Sequence, residues 1–142
     1  HYNLIERKLI CEAYIEDHHG GFPIDYKFMC IHGKPFCVLA CTGRETGDTD
    51  FMPFTLDWKP LPEYNKKGEL YDIPKPKELD KMILIATKLA NGLELVRVDL
   101  YDTGDKIYFG EMTLTPAGAI FHSWSQKALD DMGSFYYKTM KK

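Results

Sequence analysis

The chain lacks several things that would have narrowed its class at once. No apolar run comes near the roughly 20 residues needed to cross a bilayer, so nothing in it reads as a transmembrane segment. It has no surplus of positive charge. The 18 Lys and Arg stand against 21 Asp and Glu, a net charge of −3, which excludes a bulk electrostatic grip on nucleic acid and leaves room only for a local basic patch. No Cys-x-x-Cys pair occurs among Cys11, Cys30, Cys37 and Cys41. These four read as free thiols of a reducing compartment, with a zinc site or a disulfide framework as the minor alternative. No secretory leader is visible, and a cytoplasmic setting is expected. Repeats and low-complexity tracts are absent as well. What is present is an ordinary globular composition, 44% hydrophobic and 27% charged, which excludes a disordered chain. The 142 residues suffice for one domain with a real core but not for two. The sequence opens on His1 rather than Met, as expected of a processed form or of a piece of a longer gene product.

Local patterning divides the chain into strands and two helices. Residues 9–15, 26–32, 35–42 and 51–58 have the apolar, β-branched and aromatic content of strands. His32-Gly33-Lys34 joins the second and third as a hairpin, and Pro53 places the fourth at an edge or a bulge. Residues 59–77 hold four prolines with little periodicity and read as an extended surface connection, long enough to imply a job. Leu79, Met82, Ile83, Ala86, Leu89 and Ala90 form one stripe, so the spacing predicts a helix over 76–90 that starts at Pro76 and stops at Asn91-Gly92. Residues 94–101 and 106–114 form a second hairpin around Asp102-Thr103-Gly104-Asp105, and a weaker helix is expected over 125–140. Strands and helices do not alternate as in βαβ units. The expected fold is therefore α+β, an antiparallel sheet with helices packed on one side.

The second hairpin carries the most chemistry. Strand side chains alternate, so Arg97 and Asp99 share one face of one strand, and Glu111 and Thr113 share one face of the next. Arg, Asp and Glu on one face suit Mg²⁺ and a polyphosphate, which want hard oxygen ligands and a fixed guanidinium. The competing interpretation is a cross-strand ion-pair cluster on a wet sheet face. All four residues have odd numbers. They share a face only if opposed residue numbers sum to an even value, which predicts an odd-length loop of three or five residues.

The same hairpin resembles the ATP-grasp superfamily, whose ATP site ends in an Arg-x-Asp strand followed by a Glu-x-Asn-x-x-Pro-Gly-like segment. Arg97-Val98-Asp99, Glu111-Met112-Thr113, Pro116 and Gly118 stand in that order. The wider wording is similar to the TupA-like ATP-grasp branch of teichuronopeptide and surface-polysaccharide biosynthesis. The matching stretches are Glu12-Ala13-Tyr14-Ile15-Glu16-Asp17, Phe22-Pro23-Ile24-Asp25-Tyr26-Lys27-Phe28, His32-Gly33-Lys34-Pro35, Trp58-Lys59-Pro60-Leu61-Pro62 and Lys75-Pro76-Lys77-Glu78-Leu79.

This resemblance implies an ATP- and Mg-binding domain like the C-terminal lobe of the ATP-grasp unit, spanning 1–142 as a single domain. It implies an adenine hinge at Glu12 and Ile15 with Tyr14 nearby, and a ribose contact from Asp17 or Glu16. Lys27 would face the phosphates, and Arg97 would neutralise their charge in catalysis. Asp99, Glu111 and Thr113 would ligate Mg²⁺, with Thr113 standing where the superfamily has Asn. The implied reaction is phosphoryl transfer to a carboxylate on a polysaccharide precursor or an amino acid, followed by capture by an amine or other nucleophile. The upstream lobe of the usual clamp does not precede the hinge in this sequence. The enzyme reading therefore requires an N-terminal lobe, in the same gene product or from another chain. The alternative is a non-catalytic binding or assembly module of polysaccharide biosynthesis, to which a glycosyltransferase label would attach.

Other polar and aromatic features have plainer explanations. His18-His19 reads as a solvated loop pair, since a closed metal site needs further ligands. His122 reads as a packed or surface residue, Trp58 and Trp124 as anchors, and Lys138-Thr139-Met140-Lys141-Lys142 as a solvated tail. Lys27 taken alone reads as an exposed strand residue.

Overall fold

The computed structural model describes residues 6–17, 20–43, 47 and 49–140. The His18-His19 pair and the last two lysines of the tail lie outside them. The described elements are β1 (Asp25–Ile31), β2 (Lys34–Thr42), β3 (Asp50–Phe54), α1 (Leu79–Ala90), β4 (Leu95–Asp102), β5 (Ile107–Thr113) and α2 (Gln126–Met140). The sheet runs β3-β2-β1-β4-β5 and every neighbouring pair is antiparallel. The expected α+β architecture is present.

Strand β1 sits in the middle of the sheet and is buried along its whole length. Alternation sends its residues to two different layers. Tyr26, Phe28 and Cys30 join Val96, Val98 and Leu100 under α1, against Met82, Ala86 and Ala90. Met29 and Ile31 point the other way and pack with Trp124, Ala128 and Met132 of α2 and its approach. The two helices thus take opposite faces, where the sequence led us to expect one. Both helical stripes want a sheet, and a central strand with apolar residues at odd and even positions offers two. Helix α2 covers only one end of its face. The other end, around Asp25 and Lys27 at the start of β1, is left for polar side chains.

Local chemistry explains the boundaries. Strands β1 and β2 meet in a two-residue turn, His32 and Gly33, with φ of 48° and 73°. That is the double left-handed geometry that matches strand twist in a tight hairpin, and Gly33 takes its half without strain. The Ser125 hydroxyl accepts a hydrogen bond from the Ala128 N–H at 3.2 Å, capping α2, and donates one to the Glu63 carbonyl at 2.6 Å. The long 59–77 connection is pinned rather than loose. Trp58 stacks on Phe54 with centroids 4.2 Å apart and donates its indole N–H to the Ile73 carbonyl. Its job is in part to roof the core.

Residues 9–15 form no strand. Leu9 and Ile10 are fully or largely exposed, at 103% and 82%. A strand exists only through a ladder partner, and none of the described strands pairs with this run. Strand β3 is likewise shorter than expected. It ends at Phe54, where Thr55 and Asp57 close a turn, with the Thr55 N–H bonded to the Lys59 carbonyl. Pro53 does sit on an edge strand, as its missing N–H requires.

The β4–β5 loop corrects the parity argument. It has four residues, 103–106, because Asp102 pairs with Ile107. An even loop alone would turn Glu111 to the other face. The register instead slips between Leu100↔Phe109 and Asp99↔Glu111, leaving Gly110 as an extra residue on β5. This bulge restores the even sum, so Arg97, Asp99, Glu111 and Thr113 share a face after all. A side chain at Gly110 would stand 2.9 Å from the Tyr101 ring, closer than Cβ atoms come, and 3.1 Å from the Asp99 carbonyl oxygen, a tight contact.

Candidate phosphate and metal site

The uncovered end of the sheet face is built by three adjacent strands. Strand β1 contributes Asp25 and Lys27, β4 contributes Arg97 and Asp99, and β5 contributes Glu111 and Thr113. The register places Lys27 opposite Asp99, and Asp99 opposite Glu111. Opposed residues in an antiparallel pair project to one side, so three ion-bearing rows meet in one line.

Asp99 is the hub. Its Oδ2 accepts from Lys27 Nζ at 2.5 Å and from an Arg97 terminal nitrogen at 2.7 Å, while Oδ1 accepts from Arg97 Nε at 2.7 Å. Arg97 therefore grips Asp99 with two parallel bonds, the strongest form of this pairing. The same guanidinium donates to Glu111 Oε1 at 2.5 Å, and the Thr113 hydroxyl donates to that oxygen at 2.7 Å. Lys27 has a second carboxylate, Asp25 Oδ2, at 2.7 Å. Burial is graded across the cluster. Asp25, Asp99 and Lys27 are buried, at 0%, 2% and 7% exposure, and Glu111 is exposed. Burial pulls the Arg97 guanidinium down, but Asp99, Glu111 and Asp25 outweigh it and hold it above its ordinary value.

A hollow of about 230 Å³ opens over this cluster. Asp25, Lys27, Arg97, Asp99 and Glu111 form its charged floor, and Glu12 and Ile15 form part of its rim. Glu12 and Ile15 also border a second hollow of about 300 Å³, beside Tyr14, Phe22 and Tyr101. Tyr14 meets Phe22 edge to face, with centroids 5.3 Å apart. A polar cavity and a more apolar, aromatic one thus share a wall. Asp17 stands apart from both. It lines a third hollow, of about 580 Å³, with Tyr26, Lys75, Lys77 and Asp102. There burial first, then the charges of Asp102 and Asp17, push the Tyr26 phenol well above its ordinary value.

Of the residues picked from sequence, Lys27, Arg97, Asp99 and Glu111 converge in one hollow with Glu12 and Ile15. Tyr14 lies next door and Asp17 further along. Thr113 is not on the floor; it touches the site through Glu111. Among the described residues, no group of three or more His, Cys, Asp and Glu side chains is placed to hold a metal ion by itself. Two residues were missed. Asp25 precedes Lys27 by two, and the strand period alone puts it on the same face. Gly110 carries no chemical group, and only the register of the pair reveals what it does.

An antiparallel α+β domain with a charged hollow sunk into one end of a sheet face is the class that the fold and the site define. Within it, the family model described as TupA-like ATPgrasp matches residues 1–135, and the chain belongs to the TupA-like ATP-grasp family. Comparison with curated proteins gives no match, and neither does comparison with solved structures. Membership implies nucleotide binding. No helix among the described residues is long and apolar enough to cross a membrane.

Proposed function

We propose that the charged hollow binds the phosphates of ATP with Mg²⁺, as part of an ATP-dependent carboxylate ligase of bacterial cell-surface polysaccharide biosynthesis, of teichuronopeptide type. The observation that carries this reading is the convergence of Lys27, Arg97, Asp99 and Glu111 on one floor, with Glu12 and Ile15 on a rim shared with an aromatic hollow. Polar floor and apolar neighbour match a nucleotide with phosphates at one end and a base at the other.

The donor set fits the metal. Mg²⁺ is held in phosphate sites by one or two carboxylates plus phosphate oxygens and water, so a three-carboxylate protein cage is not required. Asp99 and Glu111 would hold it, and Thr113 would act by fixing the Glu111 carboxylate. When bound, the metal would supply neutralisation of phosphate charge. Arg97 lies between the two carboxylates and, once phosphate is present, can offer its donors to phosphate oxygens. Lys27 adds a second positive charge from β1. Tyr14 flanks the base, and Asp17 or Glu16 meets the ribose. The acceptor is a carboxylate on a polymer precursor or an amino acid, and a further lobe would close the clamp over it. A reducing, cytoplasmic setting suits the buried thiols Cys30 and Cys37.

A titration of the full gene product with Mg²⁺–ATP, followed by calorimetry and by thermal shift, tests this. Binding by the wild type and its loss in Asp99→Asn and Glu111→Gln are expected. Absence of any nucleotide response would sink the reading. A second reading, a non-catalytic binding or assembly module, is favoured by one observation: both Asp99 oxygens are already engaged by Lys27 and Arg97. Binding without turnover of any carboxylate acceptor would select it.

A further inference from the structure

The floor of the hollow contains one residue for which the resemblance offers no role, Asp25. It is completely buried, yet it carries a carboxylate. Its Oδ2 lies 2.7 Å from Lys27 Nζ, and the same ammonium reaches Asp99 Oδ2 from the other side. Lys27 is thus held between two buried carboxylates, one in the second strand of the site and one on its own strand two residues away. Charge balance at Asp99 does not explain Asp25, because Arg97 already grips Asp99 with two bonds. Phosphate binding alone does not explain it either, because a carboxylate under a lysine repels phosphate.

We propose that Asp25 is a positioning residue that lets Asp99 change partners. With no cation at the site, Arg97 Nε holds Asp99 Oδ1, while Lys27 and an Arg97 terminal nitrogen share Asp99 Oδ2. When a divalent cation takes that oxygen, Lys27 loses its contact with Asp99, and Asp25 keeps the ammonium neutralised and in place on the floor. Lys27 then stays on the phosphate side instead of being expelled or turned away. Asp25 thereby couples the divalent cation to the nucleotide. Without it, Asp99 is the sole anion for a buried ammonium, and the cation must compete with that ion pair for the carboxylate. This inference rests on the nucleotide–metal reading of the hollow.

The test is calorimetric titration of ATP into the full chain, in EDTA and in MgCl₂, for the wild type and Asp25→Asn. The expected wild-type result is tighter binding with Mg²⁺. In Asp25→Asn that Mg-dependent gain should shrink by about tenfold or more, the usual effect of removing a group that supports a metal ligand from behind. Binding in EDTA should hold or tighten, since a negative charge has gone. Parallel weakening in both buffers would indicate a merely structural role and overturn the proposal. An unchanged Mg-dependent gain would overturn it too, while leaving the nucleotide site standing. No ATP binding by the wild type in either buffer would remove the site itself.

Should Asp25→Asn fail to fold, the ammonium of Lys27 in wild type labelled with ¹⁵N-lysine reports the same event. Its resonance should move further with Mg²⁺ and ATP together than with ATP in EDTA or Mg²⁺ alone. Identical positions with and without the cation would overturn the exchange of partners.

Discussion

Lys27 shows how far a single residue can be judged from its letter. A lysine in a strand is usually at the surface, and nothing in its own neighbours says otherwise. Its burial follows from the place of β1 at the centre of the sheet, between β2 and β4. There its ammonium lies between two carboxylates, and those carboxylates are tolerable because the lysine is there. Removing one partner of such a cluster leaves buried charge uncompensated. Lys27→Met is therefore expected to cost about 3–5 kcal/mol of folding stability, read as a lower urea midpoint. Wild-type stability in this variant would show that water already screens Asp25 and Asp99. The ion-pair interpretation of Arg97, Asp99 and Glu111 was correct about the bonds. Its wet sheet face applies to Glu111 but not to Asp99, which is 2% exposed. Which chemistry the residues offer could be seen in the sequence; which of them are dry could not.

At the scale of elements, periodic segments were predicted well and irregular ones poorly. The stripe at Leu79, Met82 and Ala86 becomes the buried side of α1, and the weak 125–140 pattern becomes α2 despite Gly133 in its interior. Both helices form because a sheet face receives them. Residues 9–15 had comparable apolar content and formed nothing regular, because a strand needs a partner that local sequence does not supply. The β4–β5 hairpin is the sharper lesson. The shared face was expected correctly from the chemistry of the residues, but the odd loop inferred from their numbers was wrong. The four-residue loop and the bulge at Gly110 compensate each other, and loop counting cannot see a bulge. Gly110→Ala tests this compensation. The added methyl meets the Tyr101 ring and the Asp99 backbone, one of them a group that cannot move without shifting the site strand. A loss of roughly 1–3 kcal/mol in chemical denaturation is expected, as for overpacked positions generally. Nucleotide affinity should fall with it, since Glu111 is the next residue. Unchanged stability and affinity together would show that the bulge is not needed to hold the face.

For the whole molecule, the division of the sheet into two covered faces governs what the chain exposes. Cys30 lies in the layer under α1 and Cys37 in the layer under α2, and both are buried. Burial pushes the Cys30 thiol up to about 12 and raises Cys37 as well, with a further contribution from Cys30. The reactive species is the thiolate, and at pH 8 neither group supplies it in the folded state. A thiol reagent at that pH should label the exposed Cys11 quickly and leave Cys30, Cys37 and Cys41 untouched until denaturant is added. Rapid labelling of more than one thiol in native protein would show that the two layers open far more readily than their packing implies.

The sequence by itself determined the class of fold, the two helices, most strand positions and the identity of the ion-bearing residues. These follow from short-range rules: period 2, period 3.6, turn residues, and an ordered set of motifs spread over the chain. Tertiary structure alone decided that the helices take opposite faces, that Asp25 joins Lys27 beneath Asp99, and that Gly110 rather than loop length sets the shared face. Each of these depends on which strands become neighbours and in what register. The pairing of β1 with β4 brings together residues 72 positions apart, Lys27 and Asp99, through hydrogen bonds that no local stretch of either strand specifies.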